Sequence, residues 1–142
     1  MAEIIYQFLA NQIEKTASEI RWITTNDLDQ FNQHLTLCSQ RNLEQNTWDT
    51  IYKEETIYCL LFENGIPVAR ACVEKYSDNA WEVADVRVVQ SFRNRGFARE
   101  VCSFVLQYIL DNNRNATIRT ELDNEPMKRV IAKLGFTPLD KV

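Results

Sequence analysis

A short basic loop with a single glycine is the part of this chain best suited to binding a charged ligand. The loop, residues 93–98 (RNRGFA), follows a valine-rich run at 83–89 and precedes an apolar-periodic stretch at 98–110. A strand, a turn and a helix in this order direct the first N–H groups of the helix, and the positive end of its dipole, into the loop. Gly96 has no Cβ, so a pyrophosphate can approach the backbone closely. The alternative is an ordinary β–α turn with solvated arginines.

Other phosphate-binding motifs and other kinds of catalysis find little support. The loop is neither a P-loop nor a dinucleotide fingerprint, because no Gly-Lys-Ser/Thr follows and only one glycine is present. The one histidine, His34, lies in a polar stretch, and nothing near it indicates a Ser-His-Asp or Cys-His mechanism. Cys38, Cys59, Cys72 and Cys102 include no C-x-x-C spacing, and the last three lie in apolar elements. We therefore expect buried free thiols rather than a disulfide or a metal site.

The composition indicates one globular domain over residues 1–142. Hydrophobic residues make up 45% and charged residues 25% of the chain, and no apolar run approaches the roughly 20 residues of a membrane span. The N-terminus lacks the pattern of a signal peptide, so a cytoplasmic location is expected. A formal net charge of −4 argues against broad nucleic-acid binding. The same charge suits either a cationic substrate or simple solubility.

Apolar periodicity and turn residues predict the elements that position the loop. In chain order they are an extra N-terminal helix over 2–16 (within residues 1–18), a strand over 20–23, a helix capped by Thr25 or Asn26, a short helix over 43–52, strands over 57–62, 66–76 and 81–89, a helix over 98–110, a strand over 116–122, and a helix capped by Asn124. This order implies an α/β (α+β) fold with a mixed, mostly antiparallel sheet covered by helices on both faces. The tail after Phe136 is long enough for one short edge strand.

Two motifs within this order resemble the GNAT superfamily of acyl-CoA-dependent N-acetyltransferases. The first is an apolar strand end followed by Arg-x-x-Gly-x-Ala, which stands here at residues 86–98 (VRVVQSFRNRGFA). The second is an asparagine that opens a helix ending in Lys-x-Gly-Phe, which stands at residues 124–136 (NEPMKRVIAKLGF). The resemblance covers about residues 20–136 and implies a sheet whose fourth and fifth strands splay apart.

The resemblance also implies a site for acetyl-CoA as co-substrate, without a metal. The backbone of Val86 and Val88 would pair with the pantetheine arm, provided the two strands splay after Val88. The N–H groups of Asn94 to Arg99 would bind the pyrophosphate, with Arg93 and Arg95 near the phosphates. Asn124 would contact the pantetheine, or would act only as a helix N-cap. The implied cofactor-binding residues are Val86, Val88, Arg93, Asn94, Arg95, Gly96, Phe97, Ala98, Arg99 and Asn124.

Two carboxylates are candidates for the general base that transfer to an amine requires. Glu82 lies 11 residues before Arg93, where some family members carry a catalytic glutamate, and burial beside Trp81 would raise its pKa. Asp85 is a carboxylate in an apolar strand, so it needs a partner or a water-filled cleft. Arg87 would share its face in a regular strand, either as its structural partner or beside it on the substrate side of the cleft. For each carboxylate a purely structural role stays open, and Asp85 is either the alternative base or an amine-binding group.

Two departures from the family pattern affect the acceptor side of the site. Ile131 stands where many members have a tyrosine that protonates the leaving thiolate. The C-terminus is shortened, so the loop that commonly walls the acceptor pocket is missing. The pocket would then be unusually open, completed by the first helix, or completed by the partner subunit of a homodimer.

These features predict an N-acetyltransferase that moves an acetyl group from acetyl-CoA to a primary amine. The amine belongs to an unidentified small-molecule or peptide acceptor, and it attacks directly in a ternary complex. No nucleic acid or membrane partner is expected. The alternatives are a non-catalytic acyl-CoA-binding or regulatory module on the same fold, and a protein that shares only the fold.

Overall fold

In the computed structural model, residues 2–10 and 18–139 are described, and a seven-stranded sheet forms their centre. The strands are β1 (Glu3–Phe8), β2 (Glu19–Trp22), β3 (Thr56–Glu63), β4 (Ile66–Glu74), β5 (Ala80–Val88), β6 (Asn115–Glu121) and β7 (Phe136–Pro138). The helices are α1 (Leu28–Leu37), α2 (Gln45–Lys53), α3 (Phe97–Asp111) and α4 (Glu125–Leu134), with single 3-10 turns at Thr25–Asp27 and Gln90–Phe92.

The sheet has the order β2-β3-β4-β5-β6-β1-β7. Only β5 and β6 run parallel, and every other neighbouring pair is antiparallel. Helices α3 and α4 pack on one face, while α1 lies on β4 and α2 on β3 at the opposite face. This arrangement confirms the predicted mixed, mostly antiparallel sheet with helices on both faces. No helix in the described part of the chain has the length and apolar character needed to cross a bilayer.

Each face of the sheet buries its own apolar cluster. On the α3 side, Val101, Val105 and Ile109 lie along one stripe of the helix and are fully buried against the sheet. On the other side, Phe31 of α1 stacks on Trp48 of α2 with 4.5 Å between ring centroids. Helical spacing places these side chains on the inward faces, so both helix layers are held by apolar packing and present their ends to the site.

The N-terminal segment is a strand, so the prediction of a helix over 2–16 is wrong for residues 3–8. Residues 11–16 of that prediction lie outside the described residues. β1 pairs with β6 on one side and with β7 on the other. Its even-numbered side chains, Ile4, Tyr6 and Phe8, face the core, and Tyr6 and Phe8 are buried. The same residues fit both the alternation of a strand and the spacing of a helix. The segment forms a strand because β6 and β7 pair with it on both sides.

The C-terminal features agree with their predictions. Gly135 ends α4 in a left-handed conformation, with φ of +98°, as predicted for a C-cap. A Cβ at this position would lie 3.3 Å from the Cβ of Ala10, so the chain is also crowded here. The tail then forms the short edge strand β7 against β1.

Candidate active site

The splay between the two parallel strands begins after Val83. β5 pairs with β6 only from Ala80 to Val83, opposite Asn115 to Ile118. From Arg119 onward β6 continues against β1, with Arg119 opposite Ile5. The rest of β5 therefore presents unpaired backbone groups to the gap, which is a place for an added strand-like ligand. The prediction of a splay after Val88 is wrong by five residues, since it ignored how early β6 turns toward β1.

The loop before α3 has the geometry of an anion cradle. Asn94 and Gly96 adopt left-handed conformations, with φ of +65° and +83°. The N–H of Glu100 donates to the carbonyl of Gly96, 3.1 Å away, so the N–H groups of Phe97 and Ala98 precede the first such bond of the helix. A Cβ at Gly96 would meet no atom within 4 Å. Open space over a positively polarised backbone fits a pyrophosphate.

The two arginines of the loop contact protein groups. Arg93 donates from Nε to the carbonyl of Val88 at 3.2 Å, which fixes the loop to the end of β5. Arg95 forms an ion pair with Glu63 at 3.2 Å and lies over the rings of Phe92 and Phe97. An exposed pair of this kind is weak. Arg95 can therefore leave it for a phosphate at little cost, whereas Arg93 serves the loop itself.

Asn124 acts as a helix cap. Its Oδ1 accepts a hydrogen bond from the N–H of Met127 at 3.2 Å, and Pro126 stands in the first turn of α4. This is the N-cap arrangement expected from the sequence. The side chain is otherwise exposed, so the cap leaves its amide group accessible.

Glu82 lies beside the gap on the sheet face opposite α3. Its neighbour Trp81 stacks on Tyr108 of α3, so alternation directs Glu82 to the other face. The carboxylate is buried and accepts both hydrogen bonds of Arg119 Nε, at 3.0 and 3.2 Å. Arg119 is the first residue of β6 beyond the paired stretch, so this ion pair spans the start of the gap.

Asp85 is held by Arg70 and Tyr58 rather than by Arg87. Arg70, which is buried, donates from Nε and Nη2 at 3.2 and 3.0 Å, and the Tyr58 hydroxyl donates to Oδ2. The Asp85–Arg87 pair expected from strand alternation is therefore wrong. Arg70 and Tyr58 take both carboxylate oxygens of Asp85 at a β-bulge, where two residues of β5, Asp85 and Val86, oppose the single residue Ala71 of β4, with Asp85 at φ of +48°. A bulge shifts the alternation by one residue.

Asp85 opens onto a cleft between the sheet and the two helices of that face. The cleft has a volume of about 460 Å³. Its lining is mainly apolar, with a few polar groups at one side, which is typical of small-molecule sites. The lining residues are Phe31, Leu35, Gln40, Arg41, Leu43, Ile51, Tyr58, Arg70 and Asp85.

A third carboxylate, Glu74, joins the site and was missed by the sequence reasoning. Glu74 is directly opposite Glu82 in the β4–β5 register, so both side chains share one face. Partial burial raises the pKa of Glu74, and the negative charges of Glu82 and Asp85 raise it further. Only the strand register reveals this neighbour, since the turn between β4 and β5 decides which residues are directly opposite each other.

Several other candidate groups are removed from the chemistry by burial. Ile131 lies on the inward face of α4 and is fully buried in the core, so this position offers no proton donor. Cys59, Cys72 and Cys102 are buried as predicted, and burial raises the pKa of the Cys102 thiol to about 12. His34 is buried too, with Nδ1 2.9 Å from the carbonyl of Pro67, and desolvation lowers its pKa to about 4.

Comparisons with known proteins give one family and one fold. The chain matches the model of the Acetyltransferase (GNAT) family over residues 18–136. No curated protein sequence matches it. Among solved structures, a GNAT-family acetyltransferase from Colwellia psychrerythraea superposes with a TM-score of 0.77 at 17% identity, covering 96% of this chain and 52% of that one.

Two further structures are similar over most of their own length. AAC(6')-Iy in complex with the bisubstrate analogue CoA-S-monomethyl-acetylneamine has a TM-score of 0.71 at 16% identity, with 89% of this chain and 95% of that chain covered. The ribosomal-protein-S18-alanine N-acetyltransferase from Escherichia coli has a TM-score of 0.70 at 14% identity, with 87% and 79% covered.

At these identities the structural likeness shows the fold alone. The chain spans 52% of the length of the Colwellia protein and 57% and 60% of two other matching chains. The family model is more specific, because its 18–136 match contains the glycine loop, the gap between β5 and β6, and the helix that Asn124 caps. The chain therefore belongs to the GNAT acetyltransferase family.

Proposed function

We propose that this protein transfers an acetyl group from acetyl-CoA to a primary amine, by direct attack of the amine on the thioester in a ternary complex. The observation that carries the proposal is the position of two sites on either side of one gap in the sheet. The loop before α3 lies on one side, and the cleft beside α1 and α2 lies on the other. A donor and an acceptor entering from opposite faces would meet between β5 and β6.

Backbone groups would hold the donor. Val86 and Val88 lie in the part of β5 that β6 does not pair, where the pantetheine arm would add as a strand does, with the Val88 carbonyl already accepting a hydrogen bond from Arg93. The N–H groups of residues 94–99 would bind the pyrophosphate at the positive end of α3. Arg95 adds charge beside the phosphates, and Asn124 would contact the pantetheine while capping α4. Acetyl-CoA would supply the activated acyl group and the thiol leaving group.

Carboxylates on the acceptor face would bind the amine and take its proton. Asp85 lines the cleft, and its side chain is 42% exposed, so it can receive an ammonium group in addition to Arg70. Glu82 is next to the gap but has both oxygens engaged by Arg119. Glu74 beside it has the raised pKa that suits a proton acceptor. We therefore assign the base to Glu74 and Glu82, which are directly opposite each other beside the gap, and amine binding to Asp85.

The amine nitrogen would then form a bond to the thioester carbon, and the resulting oxyanion needs a donor. Of the two backbone N–H groups predicted for this role, those of Val88 and Val89, the N–H of Val89 already donates to the carbonyl of Val68 at 2.8 Å, so we assign the role to Val88. Collapse of the intermediate breaks the C–S bond and releases CoA as a thiolate. Ile131 cannot supply a proton. The thiolate would therefore be protonated by solvent, so thiolate departure is expected to limit the rate more than in relatives with a tyrosine there.

Thermal shift and thiol release test the proposal in sequence. Acetyl-CoA and free CoA at about 100 times their dissociation constants should each stabilise the protein by about 3 kcal/mol. The absence of any shift would refute a donor site. Thiol release against a panel of amines then distinguishes an enzyme from an acyl-CoA-binding module. The binding module is favoured by the buried Ile131 and by the pairing of Glu82 and Asp85 with arginines.

Carboxylate variants test the assigned roles. Glu82→Gln should lower kcat by about a hundredfold, and Asp85→Asn should mainly raise KM for the amine. Asp78→Asn, in the exposed turn before β5, removes the same charge outside the cleft and serves as the control. Full activity in both site variants would contradict these roles without removing the donor site.

A further inference from the structure

The charge of the acceptor cleft differs from that of the whole protein. The chain carries a net charge of −4, yet the cleft is lined by two arginines, Arg41 and Arg70, and by one acid, Asp85. Arg87 is opposite Arg70 in the β4–β5 register and adds positive charge to the same face. Asp85 pairs with Arg70, so Arg41 leaves the lining with an excess of positive charge. The lining therefore favours a ligand with an anionic group and disfavours a polycation.

Arg41 is the cationic group available to such a ligand. Its side chain is exposed, and it has no ion-pair or hydrogen-bond partner among residues 2–10 and 18–139. Arg70, by contrast, is buried and divides its donors between Asp85 and the Oε1 of Gln40, 2.7 Å away. A guanidinium presented to a cleft without a partner is suited to a carboxylate, which it can bind through two parallel hydrogen bonds.

The segment that carries Arg41 is fixed in place. Asn32 exchanges two hydrogen bonds with the backbone of Leu43, at 2.8 and 3.1 Å. The Thr36 hydroxyl donates to Asn42 at 3.0 Å, and the N–H of Gln40 donates to the carbonyl of Leu35 at 2.8 Å. A loop fixed on both sides of Arg41 loses little entropy when a ligand binds. The wall of the cleft is therefore preorganised.

Apolar side chains form much of the remaining lining of the cleft. Phe31, Leu35, Leu43 and Ile51 line the cleft, and the Tyr58 ring lies beside Asp85. We infer that the acceptor is an apolar amino acid, whose ammonium group meets Asp85, whose carboxylate meets Arg41, and whose side chain enters the apolar part. This inference rests on the proposed function and narrows its acceptor to one chemical class.

Equilibrium binding tests the inference without requiring turnover. Leucine, leucinamide, isoamylamine and neamine are titrated into the full chain by calorimetry, with and without CoA. Leucine should bind about tenfold more tightly than leucinamide or isoamylamine, because only leucine offers a carboxylate. Neamine should bind most weakly. Equal or tighter binding of isoamylamine or neamine would overturn the inference.

Matched arginine variants locate the effect. Arg41→Gln should weaken leucine binding about tenfold and leave isoamylamine binding unchanged, whereas Arg129→Gln, on the exposed side of α4, should change neither. Unchanged leucine binding in Arg41→Gln would overturn the assignment. Thiol release with acetyl-CoA is measured in parallel. If leucine binding depends on Arg41 but no amine causes thiol release from acetyl-CoA, the cleft assignment is supported and acetyl transfer is refuted. If amines that lack a carboxylate cause thiol release in preference to leucine, acetyl transfer is supported and the amino-acid acceptor is refuted.

Discussion

The stability of this protein should fall between pH 7.5 and pH 5.0 because of one buried histidine. His34 is fully buried on α1, where Nδ1–H donates to the Pro67 carbonyl of β4 and Nε2 lies 3.5 Å from the Cys38 sulfur. Burial lowers its pKa from 6.5 to about 4, and the positive charges of Arg70 and Arg87 act in the same direction. The Pro67 hydrogen bond and the charge of Asp85 oppose this shift without cancelling it.

The sign and size of the effect follow from proton linkage. The native pKa is the lower one, so as the pH falls below 6.5 the unfolded chain binds a proton that the native protein does not. The contribution of neutral, buried His34 to the free energy of unfolding is therefore fully present above pH 6.5 and is lost progressively as the pH falls toward 4. With these two pKa values, about 2 kcal/mol of the unfolding free energy disappears between pH 7.5 and pH 5.0.

Urea unfolding at the two pH values measures this loss directly. His34→Gln removes the titrating group, and since the chain has one histidine the free-energy difference between wild type and variant should shrink by about 2 kcal/mol at pH 5.0. Leu35→Ala, a buried neighbour on the same helix, is the control for destabilisation without loss of titration. A wild-type minus His34→Gln difference that stays constant with pH would refute the reasoning.

Three further substitutions test other parts of the site. Gly96→Ala should lower the free energy of unfolding in urea by about 1 kcal/mol, since φ is +83° and the added Cβ meets no atom. It should also weaken CoA binding, measured by thermal shift. Unchanged CoA affinity would exclude the loop as the phosphate-binding site. Glu74→Gln should raise the Tm at pH 7.5, because a raised pKa means that ionised Glu74 destabilises the native state, and the gain should vanish at acidic pH. Arg119→Gln should lower the free energy of unfolding by about 1–2 kcal/mol, because buried Glu82 is left unpaired. This is less than the loss expected for a fully buried ion pair, since the Arg119 side chain is 43% exposed. A double variant with Glu82→Gln should recover most of that loss, and strict additivity would contradict the coupling.

The geometry of the loop before α3 could be predicted because its residues are contiguous. A strand end, one glycine and a helix start lie within residues 86–98, and local backbone geometry then places the N–H groups without help from distant segments. The Asn124 cap and the Gly135 turn are local in the same sense, since each depends on hydrogen bonds within one helix. Such features are encoded by short spacings that can be read directly from the chain.

The contacts of Asp85 and Glu82 could not be predicted because they are assembled by strand register. Asp85 meets Arg70 and Tyr58 through a bulge, and Glu82 meets Glu74 and Arg119 from the two neighbouring strands. A single extra residue in β5 reverses which side chains share a face. No rule of alternation within β5 alone can supply that residue's position, so it could not be predicted that Glu82 and Asp85, three residues apart, lie on one face, or that Arg70 takes Asp85 in place of Arg87.

The N-terminal strand connects these two halves, although it lies outside the 18–136 family match. β1 pairs with β6 from Glu121 back to Thr117, and this pairing takes β6 away from β5 beyond Ile118. It therefore helps to open the gap that the donor would enter. The same pairing places Arg119 opposite Ile5, from where its guanidinium reaches Glu82. The N-terminal strand thus helps to set both the unpaired edge of β5 and the position of Arg119 beside Glu82.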